Sequence, residues 1–233
     1  MGSRNRGWRT PLGAPKGGVA SRATGAAPRV MLAGAVLALA GVTASGCAGT
    51  PEANSEAKLA PSFEDLFSEW LAAPDATAYD KVVLQEAIET GAITEAQYRQ
   101  GLDLYLACMS EAGYQLRQTR YSTGVVNVQP PAAVNDVDKL MATDSLCREK
   151  TSVFAVMGYE TQQGNPDLLV DAGTVAYRCL KKEGLIADDV TVEQVAAFLT
   201  ESHRKVYPFD VHDLGVESCF YAAGMAYQID VTG

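Results

Sequence analysis

Residues 94–114, TEAQYRQGLDLYLACMSEAGY, decide the fold class. Tyr98, Leu102, Tyr105, Leu106 and Met109 recur at helical spacing, so one face of this segment is apolar. Thr94 and Gln97 stand where a capping box needs a hydroxyl and an amide to satisfy the free N–H groups of a helix start. At the other end Cys108 precedes Gly113 in the frame Cys-x4-Gly. A glycine just past a helix takes the left-handed conformation without steric cost, and the apolar residue after it, Tyr114, folds back on the last turn.

The same frame recurs downstream. CLKKEG (179–184) and CFYAAG (219–224) are also Cys-x4-Gly, with Leu185 and Met225 in the place of Tyr114. One such frame is a weak signal. Three point to related helix ends or to a degenerate internal duplication, and Cys108 to Cys147 is 39 positions while Cys179 to Cys219 is 40. The remainder of the two halves aligns poorly.

The other segments extend the helical pattern. Pro61-Ser62 starts a helix with the stripe Phe63, Leu66, Phe67, Trp70 and Leu71. A second, about 78–90, is expected to bury Val82, Val83, Ala87 and Ile88 and to stop at Gly91. A long helical segment is expected from about Val134 to Met157, carrying Cys147. Asn165-Pro166-Asp167 reads as a helix start, with Asn as cap and Pro in the first turn, ahead of Leu168, Leu169, Ala172, Val175, Ala176, Cys179 and Leu180. Thr191 and Gln194 form another capping box before Val195, Phe198 and Leu199, and a last helix starts near Asp210. The exception is YQLRQTRYSTGVVNVQPP (114–131), where alternation on both sides of Ser122-Thr123-Gly124 predicts a hairpin over about 114–129. The expected fold is mainly α: a compact helical domain with one small β-hairpin, braced by disulfides.

Upstream the composition changes. The first 46 residues carry Arg4, Arg6, Arg9, Lys16, Arg22 and Arg29 and no acid. An apolar run from Val30 to about Val42 follows, shorter than the roughly 20 residues of a membrane span. Small residues then lead to Cys47. A basic region, a short apolar region and small residues before a cut site describe an export signal. Ala44-Ser45-Gly46-Cys47 resembles a lipoprotein cleavage site, except that Ala44 stands where Leu is usual. The alternative is an uncleaved single anchor. The expected organisation is a lipoprotein signal peptide over 1–46, a lipidated Cys47 with a flexible tether over 47–60 spanning on the order of 20 Å, and one extracytoplasmic domain over 61–233. Without lipid on Cys47 the expected product is a secreted soluble form.

Removing six basic and no acidic residues takes the formal charge from −9 to −15. That sign argues against nucleic acid as a partner, because binding its phosphates needs basic surface. With Cys47 assigned to lipid, Cys108, Cys147, Cys179 and Cys219 are an even set in an oxidising compartment, which means two bridges. Three pairings exist. Cys108–Cys147 with Cys179–Cys219 is favoured, because each joins elements that follow one another; a Cys108–Cys179 bridge is the runner-up. A redox or metal role competes weakly, since no CxxC and no His at zinc-ligand spacing is present.

The opening GAITEAQYRQGLDLYLACMSEAGYQ, the later NPD and YRCLKKEGL together resemble a group of actinobacterial lipoproteins and secreted proteins of unknown function. Ile93-Thr94, Tyr98, Cys108-Met109, Gly113-Tyr114, Cys179-Leu180 and Gly184 carry the resemblance over roughly residues 85–185. It implies export and helix-end cysteine motifs, and it implies no activity.

Chemistry-bearing constellations are sparse. A Ser-His-Asp set could be assembled from Ser202 or Ser218, His212 and Asp213, but no G-x-S-x-G elbow accompanies it, and His203 and His212 read as surface or capping residues. Asp136-Val137-Asp138 and Asp188-Asp189 read as helix-start carboxylates rather than cation ligands. No metal and no cofactor is expected. Arg117, Arg120 and Tyr121 form an expected basic and aromatic contact surface on the hairpin. The leading functional expectation is a lipid-anchored binding or interaction module at the outer face of the cytoplasmic membrane, attached through Cys47, with a protein or cell-wall ligand. The alternatives are a cell-wall hydrolase or other enzyme with an unrecognised carboxylate site, and a purely structural envelope protein.

Overall fold

A computed structural model of the chain describes residues 56–200 and 206–227. The expected signal peptide, Cys47, the tether up to residue 55, Ser202 and His203 lie outside the described residues. The order of elements is α1 (Phe63–Leu71), α2 (Ala78–Thr90), α3 (Glu95–Glu111), β1 (Arg117–Arg120), β2 (Val126–Gln129), α4 (Val137–Lys150), α5 (Val153–Gly164), α6 (Ala172–Lys182), α7 (Val192–Thr200) and α8 (Leu214–Ala222). The fold among the described residues is therefore mainly helical with a single two-stranded antiparallel hairpin. Its register pairs Arg117 with Gln129 and Arg120 with Val126.

Two apolar cores organise the helices. The first gathers Phe67, Leu84, Tyr98, Met109 and Leu140, with hairpin residues Tyr121, Val125 and Val126. The second gathers Ala176, Leu180, Val195, Phe198 and Phe220 from α6, α7 and α8. Helices α5 and α8 join them: a Cβ added at Gly164 would fall 2.4 Å from the Ala222 Cβ, so only glycine permits this approach. Each core holds one disulfide. Cys108–Cys147 ties α3 to α4, with Cα atoms 5.7 Å apart, and Cys179–Cys219 ties α6 to α8, at 5.4 Å. These are the favoured pairs, although the second bridge spans across α7 rather than linking consecutive helices.

The three Cys-x4-Gly frames close their helices identically. The N–H of Tyr114 bonds to the Met109 carbonyl at 2.9 Å and that of Gly113 to Ser110 at 3.0 Å. Leu185 to Leu180 with Gly184 to Lys181, and Met225 to Phe220 with Gly224 to Tyr221, repeat this pair of bonds. Such a six-to-one and five-to-two pattern is the Schellman motif, and its glycines have φ of +91°, +68° and +85°.

Several expectations need correction. The fold begins before residue 61. Leu59 N–H bonds to the Leu168 carbonyl at 2.7 Å and Val170 N–H to Ala57 at 2.8 Å, and Ala60 is buried, so residues 57–60 belong to the domain rather than to a tether. On α2 the buried apolar residues are Val83, Leu84 and Ala87, whereas Val82 is 67% exposed. The expected continuous helix through 134–157 breaks at Thr151-Ser152 into α4 and α5. Ser152 leaves helical geometry at φ −165°, and its hydroxyl donates to the Gly101 carbonyl at 2.6 Å. Asn165-Pro166-Asp167 closes α5 instead of opening the next helix. Asn165 donates to the Leu169 carbonyl at 2.8 Å and accepts from its N–H at 2.9 Å, which locks a turn. Helix α6 then starts behind Asp171, whose carboxylate accepts from Thr174 N–H at 2.7 Å. Similarly α8 starts behind Asp213, three residues past the expected Asp210.

Candidate functional site

The α5 N-terminus shows how buried polar groups are handled. Ser152 precedes it without a capping side-chain bond. The fully buried Asp80 of α2 caps it from outside, accepting from Ala155 N–H at 2.8 Å and Val153 N–H at 3.3 Å. The same carboxylate accepts from Thr77 N–H at 3.2 Å and lies 2.9 Å from the Thr77 hydroxyl. One anion thus serves two helix starts, where unsatisfied N–H groups and the helix dipole favour negative charge.

At the hairpin the expected contact surface is not one surface. Tyr121 is 4% exposed and packs inside. Arg120 pairs with Glu95 at 2.5 Å, both half-exposed. Arg117 is exposed, and its Nε donates to the Pro130 carbonyl at 3.0 Å. Tyr121 brings a large apolar ring that stabilises the core when buried, provided its hydroxyl finds a partner there.

That partner is Glu217 of α8, which is 3% exposed. Its Oε1 accepts from the Tyr121 hydroxyl at 2.8 Å and from Asn127 Nδ2 at 2.9 Å. Burial, and then the Glu217 carboxylate, push the Tyr121 hydroxyl above the ordinary phenol range, so it stays protonated and donates. Tyr221 meets the Tyr121 ring edge-on at 5.7 Å and donates to Glu160 at 3.2 Å. Tyr98, stacked on Tyr159 at 4.5 Å, accepts from Val126 N–H at 2.8 Å. Hairpin, α5 and α8 are thereby bonded through their interior. Neither Asp80 nor Glu217 stood out in the sequence reading. A signal for Glu217 exists, namely a lone acid in the apolar run VESCFYAA.

The other candidates are local. His212 is exposed. Asp213 is committed to the α8 cap, accepting from Gly215 N–H at 2.7 Å and Val216 N–H at 3.3 Å. Asp136 caps α4 through Lys139 N–H at 2.9 Å, and Asp188 pairs with Lys181 at 3.2 Å. Among the described residues no group of three or more His, Cys, Asp or Glu could hold a metal ion, and no helix is long and apolar enough to cross a membrane. A shallow, open groove of about 500 Å³ lies between α1 and α2, lined by Leu71, Lys81, Val82, Gln85, Glu86 and Glu89. It has apolar walls and mostly acidic charges, and can offer an amphipathic contact.

Fold and bridges together define a mainly helical, disulfide-braced domain suited to an oxidising extracytoplasmic environment. No protein-family model, no curated protein and no solved structure matches the chain.

Proposed function

We propose that this chain is a lipid-anchored extracytoplasmic interaction module of the cell envelope, held at the outer face of the cytoplasmic membrane through Cys47. The observation that carries the reading is the pair of disulfides, one in each core, downstream of a leader with the composition of an export signal. Cytosolic thiol pools keep such pairs reduced, so two structural bridges point to export. The resemblance to actinobacterial lipoproteins over roughly 85–185 supports the same placement. Acidic Asp80, Asp213 and Glu217 are spent on caps and on an internal network. This favours a braced scaffold that presents a surface, with a protein or cell-wall component as its ligand.

The test pairs fractionation with crosslinking in intact cells. The native protein is expected in the membrane fraction, with diacylglyceryl on Cys47 by intact mass and a reproducible crosslink to an envelope component. Cys47→Ala should move the protein to the medium and abolish that crosslink. Retention of Cys47→Ala in the membrane, or a native form that crosslinks to nothing, contradicts the reading.

A further inference from the structure

Resting on the lipid anchor just proposed, we infer that the face carrying the clip between residues 57–59 and 168–170 lies against the membrane surface, with Leu59 and Val170 touching the lipid headgroup layer. The clip is a built feature. Leu59 N–H and Val170 N–H bond across it at 2.7 and 2.8 Å. Beneath it Ala60, Leu66 and Leu168 form their own small apolar cluster, and Asn165 holds Leu169 from the other side. The chain is therefore pinned to the domain as far out as Ala57.

Covalent geometry then limits what the anchor can reach. Ten peptide steps separate Ala57 from Cys47, and fully extended they span at most about 35 Å. A compact domain of this length has a radius of gyration of about 15 Å, hence a diameter of about 40 Å and a half-circumference of about 60 Å. With the clip on the far side, the tether could not pass around the domain to the bilayer. The far side is thereby excluded for the clip, and its side chains decide among the positions that remain.

The side chains there suit that place. Leu59 is 40% and Val170 55% exposed, two large apolar residues flanking one bridge. In the ion pairs at the clip, Arg178 meets Asp167 at 2.7 Å and Glu56 at 4.0 Å. With Lys58 these four charges sum to zero, in a mature chain of net −15. Charge compensation at the clip beside exposed apolar tips lowers its repulsion from anionic headgroups.

The experiment uses the full lipidated protein in phosphatidylethanolamine–phosphatidylglycerol vesicles with brominated acyl chains, which quench nearby tryptophan. Leu59→Trp and Val170→Trp are compared with Met141→Trp on α4, each read against the parent with Trp70 left in place. Flotation and intact mass first establish the anchor. Side chains at the headgroup–acyl boundary should be quenched at least about twofold more than position 141. Equal quenching at all three positions in floated, lipidated protein overturns the orientation and leaves the anchor standing. Weak bromolipid quenching with protection from aqueous acrylamide at 59 and 170 would mean that a second copy of the chain covers the clip, which also overturns it. Protein that neither floats nor carries lipid overturns both proposals.

Discussion

Tyr121 and Arg120 are neighbours in the chain with opposite energetic weight. The Arg120–Glu95 pair is half-exposed, and such pairs contribute about 0–1 kcal/mol. The Tyr121 hydroxyl serves a buried carboxylate, and removing one partner of a buried polar group costs about 1–3 kcal/mol. Urea unfolding should therefore show Tyr121→Phe losing about 1–3 kcal/mol and Arg120→Ala less than about 1 kcal/mol. Residue-scale pH dependence has a definite sign. Burial raises the folded-state pKa of Tyr98, Tyr105 and Tyr121 above the ordinary 10.0. Below pH 10 both folded and unfolded states hold these protons, so their contribution is fully present. Above it the unfolded chain releases protons that the native state retains, and stability falls, by up to about 1.4 kcal/mol per pH unit for each tyrosine. Chemical denaturation from pH 8 to 11 should show a plateau and then this fall; rising stability above pH 10 would contradict the burial of these hydroxyls. Little of this scale was legible beforehand. The sequence shows Arg117, Arg120 and Tyr121 within five residues, yet the inward packing of Tyr121, just past β1, is matched by the α8 carboxylate 96 residues away.

Among the elements, the helix ends were the most legible. Capping boxes at Thr94 and Thr191 and glycine stops at residues 91, 113, 184 and 224 are local chemistry, and the structure has them all. Helix starts set by tertiary contacts were not. The break at Thr151-Ser152 depends on Asp80 and Gly101, which a local reading does not see, and at Asn165 the side chain bonds both backbone groups of Leu169, closing a turn where a cap-and-proline reading assigns a helix start. The repeated Schellman ends give an element-scale prediction. Nothing lies within 4 Å of a Cβ added at Gly113, Gly184 or Gly224, so only the positive φ opposes substitution. Replacing each by Ala should cost about 1–2 kcal/mol, alike at all three sites. Gly164→Ala should cost more, because its Cβ meets Ala222 at 2.4 Å and two helices must separate. Thermal unfolding of the four variants checks the ranking.

At the scale of the molecule, two main cores and two bridges form the organising plan of the described residues. The bridges close loops of similar length, with separations of 39 and 40 residues. In the chain-entropy picture each then stabilises by about 4 kcal/mol. Removing either pair as Cys→Ala variants should lower stability by similar amounts of about 2–4 kcal/mol, measured by denaturant titration. The even cysteine count and the equal spacing made the bracing legible in the sequence. The way the two cores are joined was not, because it rests on α5–α8 packing at Gly164 and Ala222, a contact between segments 58 residues apart. The central claim is an exported domain whose helix-end cysteines are structural braces. Its most direct test is a non-reducing peptide map of the protein isolated from the cell envelope. Crosslinked peptides joining Cys108 to Cys147 and Cys179 to Cys219, with no free thiol among the four, are the predicted result. A Cys108–Cys179 crosslink, or free thiols at any of these positions in the native protein, would contradict it.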